Sequence, residues 1–261
     1  MSIALTGRRL RALWSTLFWA ALGIGSYVFG VQSALGQEAE ASVLEAARFT
    51  TDPPAPLNLV STPSVGVALL AIGILAWIVH GIVRAVGIVA ISALAILTSQ
   101  LLKLQLLDRP ELFELDAPNT FPSGHMTVFT VLVAAIIWAV PTRARAIVTL
   151  GGAATLSAVG WQLLAYGWHR PSDVLGAIAL GIVAFAIATL IRPSTSRGTP
   201  LLAGTALVGM AILSWVLIAA AIVLAFVSVA ISNQGLLLNA GQYGVIGTSI
   251  LGSRSLFRLS T

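Results

Sequence analysis

Charged residues divide the chain into long apolar stretches. These run between Arg11 and Glu38, Asp52 and Arg84, Arg84 and Lys103, Asp116 and Arg143, Arg145 and Arg170, and Asp173 and Arg192. Each holds one membrane-crossing helix, which needs ~20 apolar residues. A further uncharged interval from Gly198 to Ser253 has room for two, with Ser232-Asn233-Gln234-Gly235 as the natural hairpin between them. The pattern predicts six spans, then a seventh and an eighth. The eighth, Leu236 to Ser253, is the weakest because Asn239, Gln242 and Tyr243 lie inside it. Glu38 to Leu59 reads as an external segment, acidic and alanine-rich at first and proline-rich later. Its middle, Glu40 to Phe49, is expected to form a short helix lying on the membrane surface. The basic start, the apolar run and Ser33-Ala34-Leu35-Gly36 have the outline of a secretory signal. The run is longer than a signal core, so an uncleaved first span is expected. No internal repeat is evident.

Composition makes the membrane reading firm. The 261 residues are 57% hydrophobic and only 9% charged, against roughly a quarter charged in an average soluble domain. So few charges cannot cover a water-soluble protein of this size. The formal net charge of +5 is explained by topology, not by a nucleic-acid partner. With Arg8, Arg9 and Arg11 in the cytoplasm, alternating spans bring Arg84, Arg143, Arg145, Arg192 and Arg197 to the same side. All nine acidic residues then fall outside, and an eighth span returns Arg254 and Arg258 to the cytoplasm. Of the basic residues, only Arg48, Lys103, Arg109 and Arg170 are left outside, and a cation that breaks the topological rule needs another reason to be there. With no cysteine, disulfides, thiolate metal sites and cysteine nucleophiles are excluded. His80, His125 and His169 are too scattered for a metal cluster.

Three polar clusters converge on the outer side. The first is Lys103, near the end of the third span, with Asp108-Arg109-Pro110. If the helix continues, six residues at 1.5 Å each place Lys103 ~9 Å below Arg109, and both long side chains reach one anion. The competing reading has Lys103 snorkelling to the interface and Arg109 paired with Asp108 or Glu111. The second is Phe121-Pro122-Ser123-Gly124-His125, just before the fourth span. Ser123 is a good N-cap, and a helix opening there aims free backbone N–H groups at an anion. Gly124 permits close approach, and His125 is placed to donate a proton; a capped helix with an interfacial histidine fits the same residues. The third is Gly167-Trp168-His169-Arg170-Pro171-Ser172-Asp173, between the fifth and sixth spans. His169 and Asp173 are four apart, so in a helical turn the carboxylate reaches an imidazole nitrogen and orients it. A plain helix start, capped by Ser172 with Asp173 favouring the dipole, is the alternative.

Taken together, two histidines, three basic side chains, a helix N-terminus and a carboxylate form the inventory of phosphoryl transfer: cations and N–H groups for the oxygens, a nucleophile and an acid. Protein cations meet the phosphate, so no metal and no cofactor is expected, with Glu111, Glu114 and Asp116 the nearest alternative ligands.

These motifs resemble the type-2 phosphatidic acid phosphatase superfamily, the membrane lipid phosphate phosphatases, over about Val65 to Arg192. That family carries Lys-x₆-Arg-Pro, Pro-Ser-Gly-His and Ser-Arg-x₅-His-x₃-Asp. Pro122 to His125 give the second complete, and His169 with Asp173 match the third. The resemblance implies an all-α polytopic bundle with a six-helix phosphatase-like core and one or two appended C-terminal spans. It divides the chain into residues 1–61 (first span and external loop), 62–192 (catalytic core) and 193–261 (appended spans). It implies that His169 is the nucleophile forming a phosphohistidine, that Asp173 orients it and that His125 protonates the leaving oxygen. Lys103, Arg109, Ser123 and Gly124 would hold the phosphate. The implied function is dephosphorylation of a lipid phosphate or polyprenyl pyrophosphate at the outer face of the cell membrane, or the related phosphotransfer. The partners are that substrate and the surrounding membrane lipids, and no nucleic acid. The sequence departs from the pattern twice. Lys103 and Arg109 are separated by five residues instead of six, and the Ser-Arg pair falls on Gln162 and Leu163. Arg170, whose guanidinium can grip two oxygens at once, is the expected replacement, with an ion pair to Asp116 or a lipid headgroup as its alternative. A non-catalytic lipid-phosphate-binding protein or flippase that kept the pocket is the competing function. A transporter would need charges at mid-membrane depth, and within the spans only Lys103, close to a helix end, is charged.

Overall fold

The computed structural model describes residues 2–113, 115, 117–192 and 203–261. Nine helices carry the described chain. They are α1 (Ser2–Ser26), α2 (Ala34–Ala46), α3 (Thr62–His80), α4 (Ile82–Leu101), α5 (Gly124–Ala139), α6 (Arg145–Ala165), α7 (Pro171–Ile191), α8 (Ala203–Ile231) and α9 (Gln234–Ser260). Wide π turns, Tyr27–Val31 and Leu102–Leu106, extend α1 and α4. Six of these helices, counting their extensions, are long and apolar enough to cross a membrane. The protein is a polytopic helical bundle, with α1, α3, α4, α5, α6 and α7 as its six-helix core.

Alternating helix directions give the bundle two chemically distinct ends. One collects α2 and the loops that follow α2, α4 and α6. There Arg48 N–H donates to Ala165 O at 2.9 Å and Gln234 Nε2 to Glu45 Oε2 at 2.7 Å. The other collects the N-terminus with Arg11, Arg84, Arg145, Arg254 and Arg258. There Arg11 Nη1 donates to Arg258 O at 3.1 Å, Arg84 Nη2 to Trp138 O at 3.5 Å, and buried Arg145 to Ser260 O. The charges thus separate as the alternation predicts; Arg197 lies outside the described residues.

The helices that follow the second and third polar clusters hold the centre. α5 is only 16 residues long, short for a span, but neighbours enclose it and Met126, Val131, Ala134, Ala135 and Ile137 are fully buried. α7 packs Val174, Ile178, Ile182 and Phe185 into the same core. The outer helices α3 and α8 instead expose Leu70, Trp77, Ile78, Phe226 and Val229, the apolar belt that hydrocarbon requires. The C-terminal pair turns at Ser232 and Asn233, where the hydrophobicity pattern puts the hairpin, and Asn233 Oδ1 caps α9 through Leu236 N–H at 3.0 Å. α9 is too polar to qualify as a span by hydropathy alone. It is seated between α6 and α7 through small residues, with Gly160 against Val245 and Gly252 against Ile178 and Ile182. Such residues let membrane helices approach closely.

Two sequence expectations are corrected. The external helix begins at Ala34, capped by Ser33 Oγ through Gly36 N–H at 3.0 Å, and ends at Ala46. It packs Gln37, Glu40, Ala41 and Val43 against the protein. The helix carrying Lys103 does not continue to Arg109. It stops at Leu106, and Asn119 Nδ2 ties off its open carbonyls at Lys103 (3.2 Å) and Leu107 (2.8 Å).

Candidate active site

The α6–α7 connection is built to present a histidine. Gly167 adopts φ +64, the left-handed geometry that ends helices and that glycine adopts without strain. The Leu163 carbonyl then accepts from the N–H of Trp168 (3.0 Å) and of His169 (3.2 Å). Arg170 is extended, as a residue before proline must be, and Pro171 opens α7. One turn on, Asp173 Oδ2 accepts from Thr120 Oγ1 (2.6 Å) and from the Arg170 N–H (3.1 Å), and lies 3.1 Å from His169 Nδ1. Asp173 is fully buried and His169 nearly so. The carboxylate fixes Nδ1 as the protonated nitrogen, which leaves Nε2 as the atom able to attack.

α5 enters beside it. Ser123 Oγ caps the helix through Met126 N–H at 3.3 Å, and Ser123 N–H donates to the Asp173 carbonyl at 3.0 Å, tying the two helix starts together. Phe121 seats this loop on α7, where Gly176 is required: a β-carbon there would stand 2.3 Å from the Phe121 ring. His125 packs edge-on against Trp168 with ring centroids 5.4 Å apart, and Trp168 Nε1 is anchored on Thr50 O at 2.7 Å.

These elements surround a cavity of about 870 Å³. Lys103, Gly124, His125 and His169 line it together with Gln100 and Trp168, while Val65, Ile96 and Val128 form apolar wall. Four of the eight residues singled out from sequence therefore share one cavity. Ser123, Asp173, Arg109 and Arg170 stand outside its lining. Ser123 and Asp173 are the supports just described. Arg170 is buried, with Nη1 donating to Thr120 Oγ1 at 3.1 Å. Arg109 is buried with its Nη1 3.8 Å from Glu40 Oε2. Leu163, where the pattern has arginine, is fully buried in the apolar core. Glu114 and Asp116 lie outside the described residues.

The N-terminal segment contributes residues that the motifs do not reveal. Glu40 Oε1 accepts the Ser172 N–H at 2.9 Å, satisfying an open donor in the first turn of α7. Burial first, and Asp173 second, push its carboxyl up to about 7, against the pull of Ser172 and Arg109. Gln37 takes the Phe113 N–H at 3.0 Å and donates to Pro110 O at 2.6 Å, holding the loop that follows Arg109. Tyr27 and Gln32 donate to the Asp108 carbonyl at 2.9 and 2.8 Å. The available sequence signal is weak: a polar residue every third position, Gln37 and Glu40, on an otherwise apolar helix face.

No curated protein and no solved structure matches the chain. One family model does, and its matched stretch runs from the start of α4 past the end of α7, enclosing every motif residue from Lys103 to Asp173. α2 with its Glu40 and Gln37 lies outside it. Motif order, helical architecture and this match agree: residues 84–197 belong to the PAP2 superfamily, whose members are phosphatases.

Proposed function

We propose that this protein removes phosphate from a lipid phosphate or lipid pyrophosphate through a phosphohistidine, at the extracytoplasmic face of the cell membrane. One observation carries the reading. His169, His125 and Lys103 share a cavity whose remaining wall includes Val65, Ile96 and Val128. Ile96 lies seven residues before Lys103, ~10 Å deeper along the helix. An amphiphile fits such a space, phosphate at the histidines and chain against the apolar wall.

In the first step His169 Nε2 attacks phosphorus and the bond to the leaving oxygen breaks, with His125 supplying that oxygen's proton. Asp173 stabilises the imidazolium character that develops on His169. In the second step His125 takes a proton from water, whose oxygen attacks phosphorus, and the N–P bond breaks to release phosphate. Lys103 and the N–H groups opening α5 meet the equatorial oxygens. Arg109 and Arg170, one layer behind, add positive charge, and the protein's own cations make the reaction independent of metal.

Phosphate release from phosphatidate, phosphatidylglycerol phosphate and a polyprenyl pyrophosphate, measured in detergent with and without EDTA, tests this. Turnover with EDTA, lost in His169→Ala, is expected. Substrate binding without turnover would instead identify a lipid-phosphate-binding protein. Turnover lost in EDTA and restored by magnesium would refute metal independence. The chain has no cysteine background, so single cysteines at Asp52 and Arg143 should label from opposite sides of intact cells. Labelling from one side would overturn the topology.

A further inference from the structure

A second cavity, of about 490 Å³, lies at the opposite end of the bundle between α1, α8 and α9. Arg11, Arg254 and Arg258 line it with Trp14, Phe18 and Trp215. Arg254 and Arg258 are one turn apart on α9, and Arg11 reaches across from α1 to the Arg258 carbonyl at 3.1 Å. Arg258 is close enough to repel both other guanidinium groups. Every described acidic residue sits at the other end, on α2, in the loops that follow α2 and α4, or at the start of α7. Three like charges therefore converge with no Asp or Glu side chain among the described residues beside them.

Part of each side chain has a structural task. Arg11 covers a carbonyl in the last turn of α9, where four lack helical partners. Arg254 Nε donates to Leu207 O at 3.0 Å, fastening α9 to α8. These bonds fix the stems and leave positive charge directed at the cavity, and Arg258 is exposed. Phe18 is seven residues beyond Arg11, ~10 Å further along α1, so the wall grades from cationic to aromatic with depth. A free anion has no use for the aromatic half, and a neutral lipid has none for the arginines.

We propose that this cavity binds an anionic glycerophospholipid, its phosphate on Arg254, Arg258 and Arg11 and its acyl chains against Trp14, Phe18 and Trp215. The bound lipid supplies the missing counter-charge and joins α1, α8 and α9. None of these residues belongs to the catalytic cavity, so the site is separable from turnover.

The purified full chain would be titrated with phosphatidylglycerol, with phosphatidylcholine of the same chains, and with inorganic phosphate. Thermal midpoint and native mass spectrometry serve as readouts. Phosphatidylglycerol should raise the midpoint saturably and remain as a single adduct; phosphatidylcholine and inorganic phosphate should do neither. In Arg254→Gln/Arg258→Gln, affinity should fall roughly tenfold per guanidinium removed, while turnover of a lipid phosphate stays at the wild-type level. If that variant fails to fold, exposed Arg258→Gln alone carries the test with a tenfold loss. An equal response to phosphatidylcholine, unchanged affinity in the variants, or full reproduction of the effect by inorganic phosphate would overturn the proposal.

Discussion

Glu40→Gln should make the stability of this protein less sensitive to pH, and the sign of the effect can be worked out. Glu40 is buried between Arg109 and the start of α7, and its carboxyl titrates at about 7 instead of the ordinary 4.5. The folded state thus holds this proton more tightly than the unfolded chain. At about 1.4 kcal/mol per pH unit, the difference amounts to about 3 kcal/mol. A raised value contributes stability that is fully present below pH 4.5 and is lost as pH rises through about 7. Glutamine keeps a carbonyl for the Ser172 N–H, bonded at 2.9 Å in the wild type, and removes the ionisation. Glu40→Gln should therefore gain on the wild type by up to about 3 kcal/mol between pH 5 and pH 8.5. The assay is equilibrium unfolding of both proteins in the same detergent across that range, read as a difference so that shared titrations cancel. A flat difference would show that Glu40 does not titrate there. If Arg109, 3.8 Å away, holds the carboxylate ionised and burial loses, the difference stays flat over this range and the wild type gains on the variant only as pH rises towards 4.5.

Gly176→Ala places a β-carbon 2.3 Å from the Phe121 ring, and overpacking of this kind costs ~1–3 kcal/mol. Because Phe121 carries the loop to Ser123, the thermal midpoint and kcat should fall together; wild-type values for both would refute the seating. Asp173→Asn should lower kcat by roughly 10⁴-fold, as loss of an orienting carboxylate does elsewhere, and near-normal turnover would remove Asp173 from the mechanism. Arg170 stands behind the cavity on Thr120 Oγ1, so Arg170→Ala should lower kcat by less than the roughly 10²–10³-fold of a donor on the phosphate itself, and Arg170→Lys, which keeps the charge, should recover most of the loss. Wild-type turnover in Arg170→Ala would leave Lys103 and Arg109 as sufficient.

The sequence by itself determined the bundle, because charge is expensive in hydrocarbon and the uncharged intervals must coincide with helices. It determined that the acids gather at the end opposite Arg11, Arg84, Arg145, Arg254 and Arg258, and it determined the turn at Ser232 and Asn233. It also made His125, His169 and Asp173 legible, since four residues are one helical turn and Pro171 and Ser123 mark helix starts. What only the tertiary structure decided concerns residues distant in sequence. No local spacing reveals that Glu40 takes the Ser172 N–H, that Gln37 holds the loop after Arg109, or that Trp168 meets His125. Which cations face the cavity was equally undecidable: Lys103 lines it, whereas Arg109 turns to Glu40 and Arg170 to Thr120. A long side chain reaches several partners from one backbone position, so its direction is set by whatever carboxylate or hydroxyl the fold brings within range. α9 shows the same division: its polar residues weaken the span signal, and only packing between α6 and α7 explains why so polar a helix lies inside the bundle.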